Sequence, residues 1–317
     1  MKILFAGNKE RGARCLEALL AQGHQIVGVI THPSAGRLPA KGRLVDLARE
    51  LRLPVFHPEN VNDSPVLENL RQLQPELTVL AGYGPIVKTE FLALAPKGCL
   101  NLHGGKLPRY RGSSPMNWAL IKGEKEFTLS IIQVDHGVDT GDVLLEKSFP
   151  IRPEDTIAEL DRKANETFPQ LLVEAVTQVE RGGLRPRKQD SDQAGYFPLR
   201  FPDDGFIVWD LYTAEQIHNR IRALSDPYPG AYTFHKHRKV KLSASRLTEQ
   251  PVHSEAGRIY RISDSSLLVG ASDRCLWIDR AAFEDTGESV VPAVSRYDKF
   301  PTIRDAVAAF AGPQGKK

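Results

Sequence analysis

The alternation of apolar and polar positions divides the chain into two parts. As far as about residue 190, short apolar runs alternate with segments whose apolar residues recur at helical spacing. The first three such segments are the run KILFAG, the helical pattern GARCLEALLAQG and the run QIVGVIT. This alternation predicts an α/β fold, a doubly wound and mainly parallel sheet with helices on both faces, of the Rossmann-like kind.

The pattern changes in the second part of the chain. A stretch rich in Pro, Arg, Asp, Gln and Gly comes first, and then one helical segment is followed by many short β runs. Such a series predicts a small, mainly β domain. We therefore predict a first domain over residues 1–190, a linker over residues 191–204 and a second, β-rich domain over residues 205–310.

Composition and charge narrow the class of protein. Of the 317 residues, 41% are hydrophobic and 26% are charged, which is typical of a globular protein, and no apolar window is long enough for a membrane span. The N-terminus reaches Gly7 and then charged residues too early for a signal peptide, which predicts a cytoplasmic protein. Three scattered cysteines favour neither a disulfide framework nor a zinc cluster, and each is expected to pack as a small hydrophobe. The net charge of +3 neither requires nor excludes a nucleic-acid partner.

Candidate chemistry lies where two predicted strands end. The run GCLNLH places Asn101 and His103 two residues apart, on one face of a strand, and IIQVDHGVDTGDVL carries Asp139 in the loop after a later strand. Ligands of open α/β sheets bind outside the carboxyl ends of the strands. There, His103 could act as a general base toward an amine, Asp139 could orient the imidazole, and Asn101 could donate to an oxyanion.

Structural interpretations of the same residues stay open on the pattern alone. His103 would be a capping or core histidine, Asp139 a turn residue in DTGD, and Asn101 a hydrogen-bonding residue at a strand end. The first turn, GNKERG, lacks the G-x-G-x-x-G fingerprint, which counts against a nicotinamide-dependent dehydrogenase.

A family resemblance favours the catalytic interpretation. Asn-Leu-His, Lys-Leu-Pro-Arg-Tyr-Arg-Gly and Asp-Thr-Gly-Asp, all between residues 101 and 144, resemble the signature of formyltransferases that use N10-formyltetrahydrofolate. The resemblance implies N10-formyltetrahydrofolate as co-substrate, no metal, an open-barrel (OB-like) second domain, and Asn101, His103 and Asp139 as catalytic residues. It also implies folate contacts, mainly through the backbone, by two segments: Tyr83, Gly84, Pro85, Ile86 and Val87, and Val134, Asp135, His136, Gly137 and Val138.

Resemblances to individual branches of the family indicate which molecule accepts the formyl group. Gly7-Asn8-Lys9 and Gly105-Lys106-Leu107-Pro108 stand where methionyl-tRNA formyltransferases usually have Gly-Thr-Pro and Ser-Leu-Leu-Pro. RFPDDGFIVWD and IHNRIRALSDPYPGAY are similar to the formyltransferase domain that acts on UDP-4-amino-4-deoxy-L-arabinose, and the many acids between residues 251 and 300 make a poor surface for phosphates. These features predict an amino-sugar nucleotide as acceptor, with candidate substrate-binding residues Asn8, Lys9, Gly105, Lys106, Arg109 and Tyr110.

Two other functions remain as alternatives. The first is methionyl-tRNA formyltransferase, under which a transfer RNA would be the partner; otherwise no nucleic acid is expected. The second is a non-catalytic module that binds folate or a nucleotide. The sequence predicts no membrane partner and leaves a homodimer open. A plain exposed loop is the simpler interpretation of Lys9 and Arg11. For the run Arg109, Tyr110 and Arg111, a solvated basic loop and a phosphate or ribose site remain equal alternatives.

Overall fold

A computed structural model describes residues 1–31, 42–183 and 185–305 of the chain. Positions 32–41, 184 and 306–310 of the predicted domains lie outside the described residues. The chain divides into two compact units. The first comprises Met1–Pro115, Glu126–Pro150 and Asp161–Pro198, and the second comprises Met116–Lys125, Ile151–Leu160 and Leu199–Lys317.

The first unit is built on a large mixed sheet. The strands in this unit are β1 (Lys2–Gly7), β2 (Gln25–Ile30), β3 (Val55–Phe56), β4 (Leu77–Ala81), β5 (Cys99–His103), β6 (Arg111–Gly112), β7 (Glu126–Gln133), β8 (Val143–Pro150) and β9 (Tyr196–Phe197). Seven of them form one sheet in the order β3-β2-β1-β4-β5-β7-β8, while β6 and β9 form a separate parallel pair. Neighbours from β3 to β5 are parallel, and β7 and β8 extend the sheet antiparallel. The predicted mainly parallel sheet is confirmed.

Helices follow most of the strands. They are α1 (Lys9–Ala21), α2 (Arg43–Glu50), α3 (Ser64–Arg71), α4 (Thr89–Leu92), α5 (Pro115–Lys122), α6 (Ile157–Arg181) and α7 (Ala214–Leu224). Asn8 caps α1, since its side-chain oxygen accepts from the Lys9 amide at 2.8 Å. Across the described parts of the chain, no helix combines the length and the apolar character needed to cross a membrane.

The parallel strands are buried on both faces, which explains their unbroken apolar runs. In β1, every residue from Ile3 to Gly7 is buried. One core cluster joins Leu4 and Ile30 to Leu80 and Phe91. Burial of such a side chain stabilises the fold by about 1.5–3 kcal/mol. This packing fixes where the strands end, and therefore where the loops at the carboxyl edge of the sheet begin.

The second unit contains a five-stranded antiparallel sheet. Its strands are β10 (Ala231–His235), β11 (Arg238–Leu247), β12 (Ile259–Ile262), β13 (Leu267–Gly270) and β14 (Cys275–Phe283). They pair in the order β10-β11-β14-β13-β12. Trp209 is fully buried in this unit, stacks on Phe300 and donates from its indole nitrogen to the hydroxyl of Thr233 at 3.0 Å. The predicted β-rich character of this part of the chain is confirmed.

The units differ from the predicted boundaries in two places. Residues 116–125 and 151–160 group with the second unit, because Asn117 donates to the carbonyl of Ala223 at 2.8 Å and Arg222 donates to the carbonyls of Arg152 and Asp155. In the predicted linker, Ser191–Gln193 form a short 3-10 helix, and Tyr196–Phe197 pair with β6 in the first unit.

The three cysteines are all buried and free: Cys15, Cys99 and Cys275. Burial raises the pKa of the Cys15 thiol to about 12, so it stays protonated at neutral pH. This agrees with the interpretation of each cysteine as a small hydrophobe.

Candidate active site

The structure brings Asn101, His103 and Asp139 together. Asn101 and His103 lie two residues apart on β5, so their side chains share one face of the sheet. The Asn101 side-chain amide donates to Asp139 Oδ1 at 3.4 Å, and His103 Nδ1 lies 3.5 Å from Asp139 Oδ2. A strand end and the loop after β7 therefore place an amide, an imidazole and a carboxylate in one cluster.

Both ring nitrogens of His103 face oxygen atoms. Nε2 lies 2.5 Å from the carbonyl oxygen of Tyr110, and Nδ1 faces the Asp139 carboxylate. A carbonyl can only accept a hydrogen bond, so Nε2 carries a proton in this arrangement. The ring is 5% exposed, and Nδ1 is the nitrogen that faces the carboxylate.

The Asp139 side chain is held by the backbone as well. Its Oδ2 accepts from the Gly112 amide at 2.9 Å, in addition to facing His103. Asp139 itself has a φ of +53°, in the left-handed region that residues other than glycine seldom adopt. The carboxylate is therefore fixed from two sides, and its own backbone conformation must be maintained by neighbouring contacts.

A chain of polar contacts surrounds the loop that carries Asp139. The side-chain amide of Gln189 donates to the carbonyls of Asp139 and Gly141, at 2.8 and 2.6 Å. Arg111, which is 2% exposed, donates from Nε to Gln189 Oε1 at 3.0 Å and from Nη1 to the hydroxyl of Tyr196 at 2.8 Å. These contacts join the segment after α6 to the cluster.

Two glycines leave no room for a side chain near the cluster. A Cβ at Gly105 would lie 2.8 Å from the Cβ atoms of Tyr110 and Pro115 and 2.9 Å from His103 Nε2. A Cβ at Gly141 would run into the carbonyl oxygen of Gln133. Close packing within the protein thus accounts for the absence of a side chain at Gly105, and any contact it makes with a substrate must come from its backbone.

The two segments expected to contact folate lie on neighbouring loops of the first unit. The hydroxyl of Thr89 lies 3.3 Å from His136 Nδ1, which links the first residue of α4, at the end of the loop after β4, to the loop after β7. Ile86 is 73% exposed and Val138 is 50% exposed. Large apolar side chains with this exposure, one on each loop, offer surfaces against which a flat apolar ring could pack.

The other residues of these two segments are more constrained. Asn62 donates to the carbonyl of Ile86 at 2.9 Å, and Asp135 Oδ1 accepts from the Gly137 amide at 3.1 Å. Burial raises the pKa of the Tyr83 phenol to about 12. The remaining residues are exposed or partly buried: Gly84, Pro85, Val87 and Val134.

The candidate substrate-binding residues fall into two groups. Lys9, Lys106 and Arg109 are exposed, and Lys106 pairs with Glu126 at 2.9 Å. Asn8 is partly buried and caps α1.

Tyr110, by contrast, is buried, with its ring stacked on Phe197 at 4.8 Å between centroids. Its side chain packs inside the first unit, and its carbonyl contacts His103. Tyr110 therefore stays a candidate substrate-binding residue whose ring is covered by Phe197.

Sequence reasoning did not identify four residues that support the cluster. They are Arg111, Gly112, Gln189 and Tyr196. In the sequence, Arg111 belongs to a basic run that a solvated loop would explain, whereas the structure buries it. Gln189 lies in a polar stretch without apolar periodicity, where no sequence signal marks it.

As for metals, within residues 1–31, 42–183 and 185–305 there is no group of three or more His, Cys, Asp or Glu residues suited to hold an ion.

The chain is similar to known proteins along most of its length. The chain is 34% identical over 276 residues to methionyl-tRNA formyltransferase of Desulforamulus reducens, an alignment that covers 85% of this chain and 86% of its relative. Six further relatives of 30–36% identity carry the same name.

Solved structures share the fold. An N-formyltransferase from Helicobacter canadensis, in complex with folinic acid and dTDP-3-aminofucose, matches with a TM-score of 0.70 at 19% identity, over 89% of this chain and 99% of that one. HypX from Aquifex aeolicus in complex with tetrahydrofolic acid matches with a TM-score of 0.63 at 20% identity, over 90% of this chain. The chain spans 44% of the length of HypX.

Family models match both parts of the chain. The model described as formyl transferase matches residues 1–176, and the model described as formyl transferase, C-terminal domain, matches residues 201–290. The first match alone covers more than half of the 317 residues. The chain therefore belongs to the formyl transferase family, whose formyl donor is N10-formyltetrahydrofolate.

Proposed function

We propose that this protein transfers a formyl group to a primary amine and that Asn101, His103 and Asp139 are the catalytic residues. The observation that carries the proposal is the convergence of an amide and an imidazole on one carboxylate, at 3.4 and 3.5 Å. An attacking amine needs a group that takes its proton, and the formyl oxygen needs a donor as negative charge develops on it. The cluster contains both kinds of group.

The Asp139–His103 pair takes the proton of the amine. His103 Nε2 is engaged with the carbonyl of Tyr110, so the general base predicted from the sequence works through Nδ1, the nitrogen that faces Asp139. A proton that reaches this pair is shared between the carboxylate and Nδ1. His103 then carries a positive charge that Asp139 stabilises, while Tyr110 keeps the ring in place. As the bond from the formyl carbon to the amine forms, its bond to N10 breaks, and the pair gives the proton it took from the amine to the leaving N10.

Asn101 stabilises the developing oxyanion. Its side-chain amide has two hydrogens, of which one points to Asp139. The second is available to a substrate oxygen. Because Asp139 fixes the amide before the substrate arrives, donation to the oxyanion needs little reorganisation, and a donor of this kind contributes about 100- to 1,000-fold to turnover.

The folate segments found in the sequence suit a flat ring with polar edges. Ile86 and Val138 supply apolar contacts, and Gly84 is exposed and has no side chain to cover its own amide and carbonyl groups. When bound, N10-formyltetrahydrofolate supplies the formyl group. The residues that would hold it are Tyr83–Val87 and Val134–Val138.

We propose methionyl-tRNA as the acceptor. Relatives with that name align along almost their whole length, as the relative from Desulforamulus reducens does at 86%. Two departures from their pattern also have local structural reasons. Asn8 caps α1, and Lys106 pairs with Glu126, so neither residue requires a different acceptor to explain it. A cytoplasmic location goes with this proposal.

An amino-sugar nucleotide is the second candidate acceptor. It is supported by the same departures, Gly7-Asn8-Lys9 and Gly105-Lys106-Leu107-Pro108, and by the likeness of residues 200–232 to a sugar-nucleotide enzyme. The structure from Helicobacter canadensis, whose complex contains dTDP-3-aminofucose, has the same fold. That likeness, at 19% identity, supports the fold and not the acceptor.

One experiment separates the candidates. Formyl transfer from N10-formyltetrahydrofolate is measured with methionyl-tRNA and with a panel of amino-sugar nucleotides, at several salt concentrations. We expect transfer to methionyl-tRNA, with an apparent affinity that falls steeply as salt rises. Transfer to a sugar nucleotide and not to methionyl-tRNA would show that the acceptor is an amino-sugar nucleotide. If the protein bound folate yet transferred nothing, and His103→Ala changed nothing, a non-catalytic binding module would be the better description.

A further inference from the structure

We infer that Gln189 is a positioning residue for formyl transfer, acting through Asp139. Its two donated hydrogen bonds, to the carbonyls of Asp139 and Gly141, are called the Gln189 bridge below. The inference rests on the proposed catalytic role of Asp139. It adds a residue from the segment after α6, which none of the sequence motifs contains.

The backbone at Asp139 needs external support. Asp139 has a left-handed backbone conformation, which is strained for a residue other than glycine and persists only where surrounding contacts maintain it. The neighbouring residues 135–138 are all exposed, so packing contributes little on that side. Gly141, on the other side, is buried against the backbone of Gln133. The Gln189 bridge therefore connects the backbone of Asp139 to the buried backbone of Gly141.

The orientation of the Gln189 amide is determined by its neighbours. Its oxygen accepts from Arg111 Nε at 3.0 Å, and its nitrogen therefore faces the two carbonyls, which can only accept. A side-chain amide meets all three requirements at once, with one acceptor and two donors. A carboxylate of the same shape satisfies only Arg111.

Arg111 and Gly112 connect the bridge to the carboxylate itself. Gly112 donates its amide to Asp139 Oδ2 at 2.9 Å, and the preceding Arg111 holds Gln189. Both residues form β6, which is paired with β9 and anchored by the Arg111 amide donating to the carbonyl of Gly195 at 2.9 Å. The two residues of β6 therefore hold both parts of Asp139: Gly112 binds its side chain, and Arg111 holds its main chain through Gln189.

The chain on the other side of Gln189 is fixed as well. Arg187 and Val143 exchange backbone hydrogen bonds of 2.8 and 2.9 Å. Gln189 is therefore anchored two residues before its position by Arg187 and six residues after it by Gly195. An anchored side chain can impose a position on a loop, whereas a side chain on a free segment would follow the loop.

The test uses Gln189→Met, which keeps the length of the side chain and removes every hydrogen bond. We expect kcat for formyl transfer to fall about 10- to 100-fold, with KM for N10-formyltetrahydrofolate within about threefold of the wild type, because the bridge positions a reacting group and does not touch folate. Gln193→Met is the matched control. It lies four residues away, and its amide donates only to Asp190. We expect it to keep wild-type kcat.

Gln189→Glu separates the bridge from the packing around Arg111. The carboxylate still accepts from Arg111 but has no hydrogen for the carbonyls of Asp139 and Gly141, so kcat should fall as far as in Gln189→Met. If Gln189→Met folds poorly, the kcat of Gln189→Glu tests the inference instead. Wild-type kcat in a folded Gln189→Glu protein would overturn the inference.

A double variant distinguishes this inference from the proposed function. If Gln189 acts through Asp139, then Gln189→Met should add less than about threefold to the loss caused by Asp139→Asn. A full multiplicative loss would show that Gln189 acts elsewhere and would overturn the inference alone. Near-normal turnover in Asp139→Asn by itself would instead refute the catalytic role of Asp139.

Discussion

Replacement of Asp139 by Asn tests the proposed chemistry with little change of shape. The amide oxygen can take the place of Oδ2 and keep the hydrogen bond from Gly112. The amide nitrogen then takes the place of Oδ1 and faces the donating amide of Asn101 at about the observed 3.4 Å, two donors without an acceptor. The substitution also removes the negative charge opposite His103. We therefore expect turnover to fall while the fold is retained.

The size of the loss follows from the distance between the two groups. A positive charge on His103 Nδ1, 3.5 Å from Asp139 Oδ2, is stabilised by about 5 kcal/mol at an effective dielectric constant of about 20. The carboxylate is 13% exposed, and water and the retained amide oxygen recover roughly half of this energy. About 2–3 kcal/mol remains, which corresponds to a decrease in kcat of roughly 30- to 160-fold.

The assay is single-turnover formyl transfer with saturating N10-formyltetrahydrofolate. Folate binding is measured separately by titration with 5-formyltetrahydrofolate, and we expect the variant to bind it within about threefold of the wild type. Asp142→Asn is the matched control, since it removes a charge three residues further along and no side-chain contact of Asp142 enters the proposed mechanism. Normal turnover in Asp139→Asn with a large loss in Asp142→Asn would refute the reasoning and transfer the role to Asp142.

Three further outcomes are expected. Asn101→Ala should lower kcat at least about 100-fold with folate binding retained, and equal losses in binding and turnover would argue against an oxyanion role. Gly141→Ala should lower the free energy of unfolding in urea by more than about 2 kcal/mol, because its Cβ meets the carbonyl of Gln133; an unchanged urea midpoint would contradict this packing. Burial lowers the pKa of His218, so its contribution to stability is complete above about pH 6.5 and is lost as the pH falls below that value. The thermal midpoint, followed by circular dichroism, should therefore fall less between pH 7 and pH 5 in His218→Gln than in the wild type, whereas the exposed His237→Gln should behave like the wild type.

The sequence predicted the features that depend on local periodicity. Apolar runs alternating with helical patterns indicated the parallel sheet, because strands buried on both faces must be apolar throughout, as β1 is. The spacing of Asn101 and His103 predicted a shared face, because side chains alternate along a strand. The motif in the loop after β7 supplied the third residue, Asp139, and the structure places it within 3.5 Å of the other two.

Contacts between distant segments could not be predicted in this way. Gln189 contacts residues about 50 positions earlier in the chain, and a single glutamine in a polar stretch has no pattern that indicates a partner. Tyr110 belongs to a basic run of the kind that forms a solvated loop, yet stacking on Phe197 buries its ring. The acceptor is equally difficult to predict, since a capping asparagine such as Asn8 and a residue that contacts a substrate look the same in a sequence.

The position of the Gln189 bridge matters for how the protein can be divided. The N-terminal family match ends at residue 176 and the C-terminal match begins at residue 201, so Gln189 belongs to neither matched segment. A fragment cut at residue 176, or a chimera joined between residue 176 and Gln189, would contain Asn101, His103 and Asp139 of this chain but not the Gln189 amide that bridges Asp139 to Gly141. Exchange of the C-terminal part among relatives is therefore expected to preserve activity only when the junction lies after the residues that pair with β6.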